Sequence, residues 1–254
     1  MRPREPVSAC LLFNDDNHML IEWLAYHYYA VGLRSVVVAV DPMSHESPKD
    51  ILDRWRPWLD NVAVWDDPDY GFEPDTAKVN GTIADKTNVH RSRQPFFYRK
   101  CTEYLKSLDQ TITLYHDVDE FIAINEEVIP DAQNRMSRPN GVLDLLSELQ
   151  SSREDDYYRT PCLLLPRLLF SAVESDAGQV RNGVPSLFDA SRFMTLRWRH
   201  HNALRDKKNN GQPKSMMNVQ LADPAKHVFH THRVVEELCP RRKGHRQEIG
   251  RAHV

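Results

Sequence analysis

Thr111-Ile112-Thr113-Leu114-Tyr115-His116-Asp117-Val118-Asp119-Glu120-Phe121 is the stretch whose reading decides the fold. Its first half is β-branched and aromatic, the composition of a buried strand, and its second half turns abruptly acidic. Working back toward the N-terminus, the same pairing of an apolar strand with a carboxylate-bearing end recurs. Val7–Phe13 runs into Asn14-Asp15-Asp16, Ser35–Val40 into Asp41-Pro42, and Asn61–Trp65 into Asp66-Asp67-Pro68. Between them lie helical stripes. Leu20, Trp23, Leu24, His27 and Val31 precede a stop at Gly32; Ile51, Leu52, Trp55, Trp58 and Leu59 form a second stripe; Phe96, Phe97, Cys101, Tyr104, Leu105 and Leu108 form a third. Strand alternating with helix predicts a mostly parallel α/β sheet of Rossmann-like type with helices on both faces. Ligands of such sheets bind outside the carboxyl ends of the strands, where these acidic residues fall.

Beyond residue 125 the pattern loosens. Val142–Leu149 predicts a short helix, Tyr157–Phe170 strand material broken at Pro161 and Pro166, and Phe193–Trp198 and Lys226–His232 further strands. Asp67 to His90 is polar and predicts a long loop. One domain over 7–235 is expected, with a nucleotide-binding half over 7–125 and an acceptor half over 126–235.

Composition narrows the function classes. The 254 residues are 41% hydrophobic and 27% charged, so disorder is excluded as the main description. Lys and Arg total 33 against 36 Asp and Glu, for a net charge of -3, which disfavours a general nucleic-acid partner. No apolar run approaches the roughly 20 residues that a bilayer span needs. The four cysteines contain no Cys-x-x-Cys pair, and Cys10 and Cys101 read as buried core thiols.

Residues 236–254 are expected to form a tail. Its basic run Arg241–Arg246 reads as solvated chain or as a site for an acidic partner. Glu248-Ile249-Gly250-Arg251-Ala252-His253-Val254 matches the translation of a common short-read sequencing adapter, so 249–254 are set aside from the fold as an artefact and the natural chain is expected to continue differently.

Asp117-Val118-Asp119 carries the chemistry. Alternate side chains of an extended segment face one way, so two carboxylates can seat a hard cation while Val118 turns into the core. The competing reading is a solvated acidic turn. The chain here resembles family 92 and related family 2-like glycosyltransferases. Asn14-Asp15-Asp16, Glu22-Trp23-Leu24-Ala25-Tyr26-His27 and Gly32-Leu33 are similar to their opening signature, and Val36–Val40 with Asp41-Pro42-Met43-Ser44 to their second strand. Gln94 and Cys101, the Asp117–Phe121 metal motif, Lys214-Ser215 and the His-rich Lys226–His232 follow in the same order.

The resemblance implies a GT-A fold, a nucleotide-sugar donor (a UDP-sugar), a glycan or glycoconjugate acceptor, Mn²⁺ or Mg²⁺, and inversion at the anomeric carbon. It implies that Asp117 and Asp119 engage metal and diphosphate, and that Asn14, Asp41 and Asp66 line the nucleotide pocket. Lys214 would meet the diphosphate as a point charge, against the alternative of a solvated loop lysine. His230 or His232 would complete the metal shell, against the plainer reading of these as core or surface histidines. Glu22 and His27 stand equally as ligand-facing or structural. Glu174 and Asp189 are candidates for the base that takes the acceptor proton. Golgi residence behind a membrane anchor is expected of the family, and no such anchor is visible in this chain. The rival enzyme is a phosphohydrolase of the haloacid dehalogenase type, whose Asp-x-Asp closes the first strand rather than the fourth; a non-catalytic carbohydrate-binding relative is the other alternative.

Overall fold

Seven consecutive buried residues, Val7–Phe13, form β1, and their alternation builds both halves of the core. Val7, Ala9, Leu11 and Phe13 join one hydrophobic cluster, while Cys10 and Leu12 join another on the opposite face. In the computed structural model, which describes residues 6–152, 159–172, 198–201, 212–240 and 249–253, β1 lies between parallel neighbours β2 (Leu33–Val40) and β4 (Ile112–His116). Strand β3 (Asn61–Trp65) extends the parallel run beyond β2. On the other side β9 (Lys214–Asn218) and β6 (Cys162–Leu165) add two antiparallel pairings, giving the order β3-β2-β1-β4-β9-β6.

Helix α1 (Asn17–Tyr26) continues through a π-helical turn, His27–Val31, that ends where Gly32 adopts a left-handed φ of 82°. Leu20, Trp23 and Leu24 of α1, Leu52 of α2 (Lys49–Trp55), Ala132 of α5 (Ala132–Met136) and Leu145 and Leu146 of α6 (Gly141–Ser151) cover one face of the sheet. The other face is covered by α4 (Ile83–Ser107) through Val89, Phe97, Tyr98, Cys101 and Leu105. The molecule is a single α/β domain with a mostly parallel mixed sheet and helices on both faces, as the alternation predicts.

Four expectations change. The segment from Asp67 to His90 is not one loop: it holds a 3₁₀ turn (Asp67–Tyr70), the short α3 (Thr76–Val79) and the first turns of α4. Thr82 and Asp85 start α4 with a reciprocal capping box, each side chain accepting from the other's backbone amide. Lys226–His232 is not a strand; it begins in a turn, and Phe229 makes a lone bridge to Val235. The cysteines are not free: Cys10 is bonded to Cys101 and Cys162 to Cys239. Finally, Ile249–His253, set aside in the sequence, forms β10 between β5 (Glu120–Ile124) and β7 (Arg167–Ala172), in a smaller sheet ordered β5-β10-β7-β8 with β8 at Trp198–His201. Most of Phe193–Trp198 and all of Arg241–Arg246 lie outside the described residues.

Candidate metal and nucleotide site

The carboxyl ends of β1 to β4 meet along one edge of the sheet, and each end is held by a polar contact from a neighbouring loop, helix or strand. After β1, Asp15 has a left-handed φ of 58°. Its carboxylate accepts from Ser44 Oγ at 2.9 Å and from the amides of His45 and Glu46 at 2.6 and 2.9 Å. His45 Nδ1 lies 2.9 Å away. These bonds, led by the one to His45, hold the Asp15 carboxyl well below the usual carboxylate range. Asn14-Asp15-Asp16 and Asp41-Pro42-Met43-Ser44 are thus two halves of one clamp between the loops after β1 and β2. Asn14 itself is exposed, and its amide donates to Asp16 Oδ2.

Asp41 is fully buried. Its Oδ2 accepts from Arg93 Nη1 at 2.8 Å and lies 2.6 Å from His90 Nδ1, while Oδ1 accepts from the Met43 amide at 2.9 Å. Burial works to raise its carboxyl, but the His90 bond, the Met43 amide and the Arg93 charge outweigh it and leave a net lowering. Arg93 Nε also donates to Asp67 at 2.9 and 3.1 Å, and the Tyr70 hydroxyl bonds to the same carboxylate. Arg93 therefore ties the ends of β2 and β3 together from α4. Asp66 stays exposed and caps the 3₁₀ turn; the inward partner at this strand end is Asp67.

Beyond β4 the chain makes a turn rather than continuing extended. Val118 enters the core, as alternation predicts, and ligand oxygens of Asp117, Asp119 and Glu120 come within 4.8 Å of one another. Glu120 is the member the sequence left unassigned. It is buried, its carboxylate accepts from the Asp117 amide at 3.1 Å, and its carbonyl accepts from Trp23 Nε1 at 2.9 Å. Three carboxylates are hard oxygen donors of the kind Mg²⁺ and Mn²⁺ take, so the residues fit such a cation. Lys214 Nζ lies 2.8 Å from Asp117 Oδ1, and Gln94 Nε2 approaches the same oxygen at 3.4 Å. Burial acts against the Lys214 ammonium, yet Asp117 outweighs it and raises the amine. Asp16 also faces this cluster: partial burial, with the charges of Asp119 and Asp117, raises its carboxyl.

Among the described residues, the group of close metal-ligating side chains is Asp117, Asp119 and Glu120, without His230 or His232. His230 is exposed, and its amide donates to Val234. His232 is exposed at the residue level, with its imidazole lowered by partial burial and by the Lys214 charge. Glu174 and Asp189 lie outside the described residues. Glu22 is half-buried on α1.

His27 lies beneath the acidic turn as a packing residue. Its ring stacks on Trp23 at 3.9 Å and on Phe121 at 5.8 Å, and Nδ1 donates to the Trp23 carbonyl. Burial lowers its pKa from 6.5 to about 3. Above pH 6.5 the ring is neutral folded and unfolded; between there and about 3, only the unfolded chain takes up a proton. Stability is therefore lost as pH falls, by about 2 kcal/mol between pH 7 and 5. Urea unfolding at those two pH values should show wild type losing that much more than His27→Phe; equal losses would contradict the assignment.

No family model matches the chain, and neither does any curated protein. Among solved structures, the 1–349 fragment of S. aureus TarS is similar at TM-score 0.39 and 16% identity, over 91% of this chain and 52% of that one. The same fragment in complex with UDP gives 0.33 and 16%, over 65% of this chain and 36% of the other. A further S. aureus TarS structure gives 0.36 and 15%, over 71% and 23%. The chain spans about half the length, or less, of each of these. Similarity at this level assigns no activity.

Proposed function

We propose that this chain is a metal-dependent glycosyltransferase of the GT-A type, moving a sugar from a UDP-sugar to a hydroxyl of a glycan or glycoconjugate with inversion. The observation that carries the reading is the convergence of Asp117, Asp119 and Glu120 at the carboxyl end of β4, beside the ends of β1, β2 and β3. The ordered resemblance of the sequence to family 92 supports it.

Asp117, Asp119 and Glu120 would hold Mn²⁺ or Mg²⁺, which when bound supplies charge neutralisation for a departing nucleoside diphosphate. Lys214 and Gln94 fix the Asp117 carboxylate, and the Glu120 bond to the Asp117 amide fixes the turn that carries it. The clamp through Asp15 and Ser44 shapes the rim of the nucleotide pocket, with Asn14 and Asp66 exposed along it. Asp41, buried under Arg93 and His90, serves the pocket by holding the β2 end in place. Direct displacement uses no covalent nucleophile and needs one carboxylate to take the acceptor proton; Glu174 and Asp189 are the candidates. Golgi residence is what the family resemblance alone would suggest; among the described residues no helix is long and apolar enough to cross a membrane.

Hydrolysis of UDP-sugars with Mn²⁺, compared with phosphate release from aryl phosphates, tests the proposal. Wild type should cleave the UDP-sugar, and Asp119→Ala should do so at least about a hundredfold more slowly. Aryl-phosphate turnover would favour a phosphohydrolase, and UDP binding without turnover a carbohydrate-binding role; either sinks the transferase reading.

A further inference from the structure

Lys214 opens β9, the strand antiparallel to β4, and its side chain is almost completely buried. A lysine that greets an anionic ligand presents its ammonium to solvent. This one directs its ammonium at a protein carboxylate, 2.8 Å from Asp117 Oδ1, the oxygen that Gln94 also approaches. Asp117 is in turn one of the three carboxylates whose oxygens lie within 4.8 Å of one another. A fixed positive charge has thus been built into the wall of a candidate cation site.

We propose that Lys214 is the internal counter-ion of the Asp117–Asp119–Glu120 cluster, weakening and setting its affinity for a divalent cation, and that it is a positioning residue for Asp117 rather than a ligand of the donor diphosphate. With three carboxylates ionised, Lys214 reduces the local charge from three negative to two. A divalent ion entering the cluster meets that reduced charge and a fixed cation one side chain away. Lys214 is buried while the Asp117 side chain is 36% exposed, so the repulsion between the ammonium and an incoming cation is screened only in part. The device holds the Asp117 carboxylate in place when no cation is bound, and it leaves cation binding dependent on what the donor itself contributes. This rests on the cation reading of the cluster given above.

Mn²⁺ titration followed by the free-ion electron paramagnetic resonance signal tests it without any turnover. Lys214→Met and Lys214→Gln should bind Mn²⁺ at least about tenfold more tightly than wild type, with UDP affinity in chelator unchanged. Gln carries a polar donor at this position and Met does not, and neither carries the charge, so agreement between the two variants assigns the effect to charge. An independent arm leaves Lys214 in place. Asp117→Asn strands the ammonium beside the two remaining carboxylates, and should cost at least fivefold more Mn²⁺ affinity than Asp119→Asn.

Unchanged Mn²⁺ affinity with weakened UDP binding in the Lys214 variants, or equal losses in the two Asn variants, would overturn the inference while leaving the cation site standing. Absence of saturable Mn²⁺ binding to wild type would remove the cation reading itself, and this inference with it.

Discussion

A Cys10→Ala/Cys101→Ala variant is expected to lose about 4–5 kcal/mol of stability relative to wild type. The bond joins β1, the strand flanked by β2 and β4, to the helix that covers one face of the sheet, across a sequence separation of 91. Closing a loop of that length restricts the unfolded chain, and the loop-entropy model gives a value of this order. Both cysteines are fully buried, so alanine removes little packing beyond the sulfurs. Urea unfolding of the oxidised wild type and the double variant measures the difference. A deficit under about 1 kcal/mol would mean that the bond adds nothing to the native state. The Cys162–Cys239 bond closes a comparable span and should respond similarly to its own double variant.

The second large effect is expected at Arg93. Its guanidinium is buried and bonded to two carboxylates, Asp41 and Asp67, on neighbouring strand ends. Arg93→Met keeps much of the side-chain volume but leaves both acids without their shared cation, and breaking a buried pair in this way costs about 3–5 kcal/mol. The sign of the pH dependence is fixed. In wild type the Asp41 carboxyl lies below its ordinary value, so its contribution is present above the unfolded pKa and fades as pH falls through the folded one. In the variant the carboxyl rises, and protonation relieves the unpaired charge. The gap between Arg93→Met and wild type should accordingly be widest near neutral pH and narrow toward pH 4. Chemical denaturation at pH 7 and pH 4.5 follows it, and a gap that grew on acidification would refute the account.

What was legible in the sequence follows from local physics. Strands β1 to β4 carry β-branched or apolar runs ended by Asp or Asn, and those runs mark them without knowledge of any partner. The Asp117 and Asp119 pair was legible for the same reason. Glu120 was not, because strict alternation turns it away from Asp119, and only the turn after β4 brings the three oxygens together. The start of α4 was missed because residues 83–92 are largely exposed and show no apolar stripe, although Thr82 and Asp85 carry the cap in plain view. Lys214–Asn218 and Ile249–His253 depend on pairing with strands roughly fifty to 130 residues away, which no local window contains. Backbone pairing is also indifferent to side-chain origin, so Ile249–His253 of the adapter-like stretch can fill the place beside β5. Cysteine pairing is likewise invisible until the fold brings the sulfurs together.

Helix α4 reaches Asp41 and Asp67 through Arg93, Asp117 through Gln94, and β1 through Cys101. Sliding it along its axis would strain a covalent tether and disturb three strand ends at once. This flank of the sheet edge is consequently braced as one piece, so a change at any one of these strand ends is felt at the others.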